Sequence, residues 1–182
     1  MAAGATEVAD PGPARAPSPR ELRDTVDHLA VDRLLARYAD TVTRRAWDEL
    51  AGFFRPDCVV RIDTVTRAPF ELTGPAEVGE FIGGAVERFD FFEFVVLNSM
   101  VTLHADGDPD RATSRMFMCE QRRSADDAAW STAYGVYLDR LRRVDDQWWF
   151  AARSYRSLGR TGADGGVFPL PDLGPTAGGS GS

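Results

Sequence analysis

Two strand-like segments near the C-terminal end limit the possible folds of this sequence. They are Tyr134–Arg143 and Gln147–Arg153, in which apolar and polar residues alternate, with Asp145 and Asp146 in the short turn between them. About 90 residues earlier, Leu34–Asp40 and Trp47–Phe54 carry apolar residues at helical spacing. Helices in the first half and strands in the second predict an α+β fold, in which a curved sheet cups the helices and can enclose a small apolar molecule.

The composition excludes nucleic-acid binding. The net charge is −7, and the 21 basic residues alternate with acidic ones instead of forming a stripe. Phosphate binding needs clustered positive charge, so no nucleic-acid partner is expected. With 43% hydrophobic residues, the chain of 182 residues can bury the core of one ordinary domain.

Metal and membrane binding are also not expected. Cys58 and Cys119 lack the spacing of metal ligands and are expected to be buried thiols, and only two histidines are present. No apolar run approaches the roughly 18 residues of a membrane span. The N-terminal segment lacks the apolar centre of a secretory signal, so we predict a cytoplasmic protein.

The composition along the chain predicts one domain between two irregular ends. Residues 1–20 are rich in proline and predict a disordered leader, and residues 161–182 predict a flexible Gly- and Pro-rich tail in which Val167–Leu170 can dock locally. Residues 21–160 form the predicted α+β domain. Its helices are expected from near Glu21 through Val42, over Ala46–Phe54, and from Gly74 and Pro75 onward.

The expected strands are Cys58–Val65, Glu93–His104, Arg111–Arg123, Ala129–Arg143 and Gln147–Ser157. Their connectors are short, which favours antiparallel neighbours with the helices on one face of the sheet.

Several segments in this order resemble a known family. They are Leu34–Tyr38, Trp47–Leu50, Phe54–Val60, Gly74–Val78, Asn98, Tyr137–Asp139 and Gln147–Trp148. Together they resemble the SnoaL-like branch of the nuclear transport factor 2-like superfamily, whose members include ketosteroid isomerase, scytalone dehydratase and limonene epoxide hydrolase. The resemblance covers roughly residues 22–158. It implies a cystatin-like cone, in which a curved, mostly antiparallel mixed sheet wraps around about three helices, and a homodimer formed through the outer sheet face.

The resemblance does not carry over the dehydratase chemistry. The tyrosine–aspartate pair of scytalone dehydratase falls on Val42 and Thr43, and its two histidines fall near Asn98 and Arg122. The oxyanion-binding tyrosine of ketosteroid isomerase, in contrast, corresponds to Tyr38. The general-base aspartate of that enzyme falls near Ile62, one residue before Asp63, so only a bulge would turn Asp63 inward.

Strand alternation selects further residues for the enclosed site. If Asn98 faces inward, Met100 does too, and the inward parity on the next two strands includes Glu120 and Tyr137. The expected catalytic residues are Tyr38, Asp63, Asn98, Glu120 and Tyr137. The expected substrate-binding residues are Val42, Ile62, Phe81, Met100, Met116 and Met118.

Each polar candidate also has an ordinary structural explanation. Glu120 can pair with Arg122, Asp63 can pair with Arg61 or Arg67, and a buried tyrosine can be a core residue with a satisfied hydroxyl. In the functional interpretation, Glu120 or Asp63 moves a proton. Tyr38, Tyr137 and Asn98 then hold the oxygen on which charge develops.

The resemblance implies an enzyme that needs no cofactor and acts on a small apolar intermediate of polyketide or terpenoid type. Cyclisation, isomerisation and dehydration are the expected reaction classes. Two alternatives remain open at this point. One is a non-catalytic binding or association domain, and the other is the small structural subunit of a ring-hydroxylating oxygenase, which shares this fold.

Overall fold

Helix-capping interactions begin the ordered domain. The computed structural model describes residues 15–162 and 165–173. The Ser18 hydroxyl accepts a hydrogen bond from the Glu21 backbone N–H, and the Glu21 carboxylate accepts one from the Ser18 N–H at 2.6 Å. This capping box starts helix α1 (Pro19–Arg44). The helix therefore begins two residues inside the predicted leader, whose residues 1–14 lie outside the described part of the chain.

The helical half of the domain follows the apolar spacing of the sequence. Helix α1 buries the expected face, with Val31, Leu35 and Val42 almost fully enclosed. A short 3₁₀ helix, Trp47–Gly52, stands where Ala46–Phe54 was predicted. Helix α2 (Gly74–Val86) begins with proline in its first turn, because its fixed φ and missing N–H suit that position. No helix in the described residues is long and apolar enough to cross a membrane.

The strands form one curved mixed sheet. They are β1 (Phe54–Asp63), β2 (Phe70–Thr73), β3 (Phe89–Leu103), β4 (Arg111–Ser124), β5 (Trp130–Val144), β6 (Gln147–Arg160) and β7 (Gly166–Val167). The order is β2-β1-β6-β5-β4-β3, with β7 paired to β6. Strands β1 and β6 run parallel, and all other pairs are antiparallel.

This architecture confirms the predicted α+β fold, with two differences. The sequence did not reveal β2, whose four residues are too few for a clear alternation. It also did not predict β7, which lies in the expected tail and pairs Val167 with Gly159. The rest of that tail, 163–164 and 174–182, lies outside the described residues.

Of the register shifts in the sheet, two decide which candidate side chains face the helices. In β3 the partner of Val96 is Met118 and the partner of Asn98 is Phe117, so Leu97 is an extra residue. In β6 the residues that pair with β5 shift between Phe150 and Ala152, so Ala151 is extra. One inserted residue moves every following side chain to the other face of its strand.

The core lies between α1, the 3₁₀ helix and the concave face of the sheet. Tyr38, Phe53, Phe54 and Phe150 are among its largest fully buried side chains. Cys58 is completely buried and is not in a disulfide, and burial raises the pKa of its thiol to about 12. Both cysteines are therefore small core residues, as their spacing predicted.

Candidate active site

A cavity of about 220 Å³ lies between the helices and the concave face of the sheet. Its apolar wall includes Val42 from α1, Phe81 and Ile82 from α2, and Ile62 from β1. Helices α1 and α2 place Val42, Phe81 and Ile82 on their inward faces by the same periodicity that builds the core. The result is a small enclosed space with a mostly hydrophobic wall.

Tyr38 and Tyr137 form a hydroxyl pair on the cavity wall. Their oxygens are 3.3 Å apart, and both side chains are buried. Burial raises the pKa of Tyr38, although the charge of Arg153 opposes this change. Burial also raises the pKa of Tyr137 well above its ordinary range. Both phenols are therefore neutral at physiological pH, and because one hydroxyl donates to the other, one proton of the pair remains free to donate to a ligand.

A buried ion pair between Arg153 and Asp139 packs against the rings of the two tyrosines. The guanidinium of Arg153 lies 4.0 Å from the ring centre of Tyr38 and 4.1 Å from that of Tyr137. Its Nε donates to Oδ1 of Asp139 at 2.7 Å, and the Ser114 hydroxyl donates to Oδ2 of the same carboxylate at 2.8 Å. Burial alone would lower the pKa of Arg153, but the charge of Asp139 raises it overall. Arg153 is therefore a fixed cation beneath the rings.

Glu120 on β4 brings a carboxylate into the same cavity. Its side chain remains 23% exposed, because it faces the enclosed space, and Oε2 lies 3.6 Å from Nη1 of Arg122. Burial raises the pKa of Glu120, although the charges of Arg122 and Arg160 oppose this. Burial also lowers the pKa of Arg122, against the effect of Glu120. Glu120 can thus bind and release a proton at a higher pH than an exposed glutamate.

Six of the residues selected from the sequence lie together on this cavity: Tyr38, Val42, Ile62, Phe81, Glu120 and Tyr137. Met116 and Met118 point inward, as the alternation of β4 predicted, but they are fully buried in the core and do not line the cavity. They therefore pack beneath the site and do not contact its contents.

Asn98 and Met100 lie on the opposite, outer face of the sheet. The extra residue at Leu97 reverses the alternation of β3, so Ser99 faces α1 instead, with its hydroxyl 3.3 Å from Asp32. Met100 is 54% exposed and lines a groove on the outer face. The structure thus corrects the inward placement of both residues, because the bulge breaks the assumed period of two.

Asp63 is also kept out of the cavity. No bulge follows Ile62, so Ile62 takes the inward position and Asp63 the outward one. The Asp63 carboxylate accepts hydrogen bonds from Nη1 of Arg156 and from the Val65 backbone N–H. Its partner is Arg156 and not the expected Arg61 or Arg67.

The sequence indicated Arg122 by the alternation of β4, but it did not reveal the buried pair or the three remaining arginines of the cavity. Asp139 is two residues after Tyr137 and shares its face, so the alternation of β5 contained a signal for it. Arg153 gave no such signal, because the bulge at Ala151 shifts the inward parity of β6. Arg67, Arg88 and Arg160 reach the cavity from three different segments, which spacing along the chain does not bring together.

Helices enclosed by a curved mixed sheet, with a side-chain-lined cavity between them, define the class of nuclear transport factor 2-like and cystatin-like proteins. Within it, the model of the SnoaL-like domain family matches residues 23–154, and the chain belongs to this family.

Solved structures share the fold at low sequence identity. A proposed scytalone dehydratase from Novosphingobium aromaticivorans DSM 12444 is 21% identical, with a TM-score of 0.64 over 85% of this chain and 95% of that one. A hexachlorocyclohexane dehydrochlorinase, LinA-type3 from Novosphingobium barchaimii LL02, is 17% identical, with a TM-score of 0.66 over 82% and 99%. No curated protein sequence matches this chain significantly.

Proposed function

We propose that this protein is an enzyme that transfers a proton on a small, largely apolar substrate enclosed in the cavity, without a cofactor. Isomerisation, dehydration and cyclisation of a polyketide- or terpenoid-like intermediate are reactions of this type. One observation carries the proposal: within 15–162 and 165–173, Glu120 is the only carboxylate on the cavity wall, and it shares that wall with the hydroxyl pair of Tyr38 and Tyr137.

The geometry supports a division of roles. Ionised Glu120 would take a proton from a carbon next to a carbonyl group, and its raised pKa would let it return that proton elsewhere on the substrate. One hydroxyl of the Tyr38–Tyr137 pair would donate a hydrogen bond to the oxygen that becomes negative, and the other hydroxyl would support it by donating to it. Arg153, which is paired with Asp139 and packs against both rings, would hold the two tyrosines in place.

The names of similar structures support an elimination reaction. They include a proposed scytalone dehydratase and a dehydrochlorinase. The dehydratase positions on α1 are nevertheless Val42 and Thr43 in this chain, so the proton would be moved from a different wall of the cavity. A carboxylate on β4 replaces the helix-borne acid in this proposal.

Deuterium incorporation tests the proposal without the natural substrate. An uncharged cyclic ketone such as 2-tetralone is incubated in D₂O, and exchange at the carbon next to the carbonyl is followed by mass spectrometry. The wild type should exceed the buffer rate, and Glu120→Gln should lose roughly a hundredfold or more of the excess, the usual contribution of general base catalysis. Glu80→Gln, which changes an exposed glutamate of α2, is the matched control.

Other outcomes would change the proposal in defined ways. An equal rate in the wild type and in Glu120→Gln contradicts the role of Glu120. Loss of exchange in Asp63→Asn alone would move the proton-transfer role to Asp63. A wild-type rate no greater than that of buffer would favour the binding-domain alternative. The cavity itself argues against a subunit with a filled, purely structural interior.

A further inference from the structure

We infer that the substrate is an anion, an apolar molecule bearing a carboxylate, and that arginines at the polar end of the cavity bind this group. The inference rests on the proposed function, because it names the substrate class for the same cavity.

Positive charge exceeds negative charge on the cavity wall. Five guanidinium groups line the cavity, those of Arg67, Arg88, Arg122, Arg153 and Arg160. Asp139 pairs with Arg153 inside the core, and both side chains are at most 1% exposed. Four arginines therefore remain beside Glu120, the one carboxylate that the described residues place on this wall. Of these, Arg122 and Arg160 are half-buried, and Arg67 and Arg88 are exposed. A carboxylate on the bound ligand would be the second one at this site and would reduce the excess of positive charge on the cavity wall.

These arginines lie on aromatic rings. Arg67 is 4.5 Å from the ring centre of Phe70, and Arg88 is 4.9 Å from that of Phe89. The guanidinium of Arg122 lies 5.3 Å from the centre of the same Phe89 ring. A guanidinium that rests on a ring is held in place through its flat face, and its N–H groups remain in the plane. Arginines in this arrangement can donate to an oxyanion, and of the three only Arg122 has, within the described ranges, a cavity carboxylate as ion-pair partner, Glu120 at 3.6 Å.

Arg122 has a donor that the described residues leave unsatisfied. Its side chain is 14% exposed, and its Nε is buried with no hydrogen-bond partner in that part of the chain. The Glu120 oxygen at 3.6 Å is too distant for a good hydrogen bond. Because this Nε has almost no accessible surface, a ligand carboxylate would bind the terminal Nη atoms of Arg122, whose ion-pair partner Glu120 is held only loosely. Arg122 is therefore the central residue of the inferred anion site.

The cavity also limits the rest of the ligand. Its volume of about 220 Å³ is below the range of roughly 300–1,000 Å³ found for drug-sized ligands. Val42, Phe81 and Ile82 make the opposite wall apolar. A compact ring system with one carboxylate would therefore match the apolar wall with its ring and the arginines with its charge.

The charge of the whole chain makes this cluster more informative. At a net charge of −7, the protein as a whole repels anions. The group of arginines on the cavity wall would oppose this repulsion close to a bound anion. The cluster therefore selects anions against the general charge of the molecule.

Calorimetric titration with 2-naphthoate and its uncharged amide, 2-naphthamide, tests the inference. The wild type should bind the acid at least about tenfold more tightly, since a hydrogen bond to a charged group contributes this much. Arg122→Gln and Arg160→Gln should each reduce the acid preference and leave amide binding unchanged. Arg33→Gln, which removes an exposed arginine of α1 outside the cavity, should behave as the wild type. If Arg122→Gln does not fold, Arg160→Gln decides the outcome.

Two results would overturn the inference: equal binding, or no binding, of the two probes by the wild type, and an acid preference that survives in both cavity variants. The test is independent of catalysis. Glu120→Gln should bind 2-naphthoate at least as tightly as the wild type, because it removes a repelling carboxylate. A preference for the acid without exchange of the ketone would support anion binding and contradict the proposed proton transfer. Exchange of the ketone without a preference for the acid would support the proposed function and contradict the inferred anionic substrate.

Discussion

Glu120 and Arg153 are charged side chains that share one cavity wall but differ in how their charges are compensated. Asp139 compensates the charge of Arg153 at 2.7 Å and accepts from Ser114 at 2.8 Å, although Nη1 of Arg153 has no hydrogen-bond partner among the described residues. Glu120 has only Arg122 at 3.6 Å, and burial raises its pKa. A fully compensated charge is typical of a structural ion pair, and an incompletely compensated one is typical of a reactive group.

At this scale we predict that Glu120→Gln is more stable than the wild type at neutral pH. Burial raises the pKa of Glu120 above about 4.5, its ordinary value, despite the opposing charges of Arg122 and Arg160. The folded state then holds this proton more tightly than the unfolded state. The wild type therefore loses stability as pH rises from about 4.5 through the folded-state pKa, whereas glutamine cannot ionise.

Urea unfolding of both proteins near pH 4 and near pH 7.5 checks this prediction. The stability advantage of Glu120→Gln should be present at the higher pH and shrink at the lower one. Glu80→Gln, at an exposed position, should show no such difference. A larger advantage at low pH would contradict the proposed environment of Glu120.

At the scale of secondary structure, the sequence predicted side-chain direction wherever pairing was uninterrupted. Strands β4 and β5 pair residue by residue from Arg111 to Arg123. Side chains therefore alternate strictly between the two faces there, and the inward direction of Glu120 and Tyr137 was predicted correctly. It failed in β3, where Leu97 is an inserted residue without a glycine or proline to mark it. A bulge depends on the partner strand, so alternation along one strand does not contain it.

Close packing between β5 and β6 leads to the second prediction. A Cβ on Gly135 would lie 2.3 Å from Cε2 of Tyr155, whose ring is 5.0 Å from that of Tyr137. Gly135→Ala should therefore displace Tyr155 towards the tyrosine pair, lower the free energy of unfolding by about 1–3 kcal/mol and weaken probe binding.

Gly84→Ala in α2 is the matched control, because a Cβ there meets nothing within 4 Å. It should stabilise the protein by about 0.5–1 kcal/mol, since alanine is the better helix residue. Denaturant unfolding of both variants distinguishes the effects. Equal stability changes in the two variants would show that Tyr155 does not fill the space above Gly135.

At the scale of the whole molecule, the order of motifs was enough to predict the fold but not the electrostatics of the cavity. The apolar spacing of α1 and the alternation of β4 and β5 are local patterns, and both are kept in the folded protein. The arginines of the cavity come from the segment before β2, the end of α2, β4 and β6. Their convergence depends on the curvature of the sheet, which no local pattern specifies.

The outer face of the sheet leads to the third prediction, a homodimer. Val59 and Met100 are exposed there at 38% and 54%, beside Leu138, around a groove of about 550 Å³. Burial of this apolar surface against a second copy would stabilise the pair. Light scattering at micromolar concentration should give twice the mass of the chain.

Met100→Glu should shift that protein to the monomer and leave binding to the cavity unchanged, because Met100 is on the opposite face. A wild type that remains monomeric at these concentrations would contradict the prediction. The acid-to-amide preference for the naphthalene probes serves as the control for an intact cavity.

The parallel pairing of β1 with β6 joins two distant parts of the chain, since Asp63 and Arg156 are partners although 93 residues separate them. A ribosome releases α1 long before it releases β6. During synthesis, the apolar face around Tyr38 therefore remains uncovered until the ribosome has released β6, which carries Arg153 and Tyr155. The cavity is the final part of the molecule to close, and a nascent chain that pauses before β6 exposes the kind of helix surface to which chaperones bind.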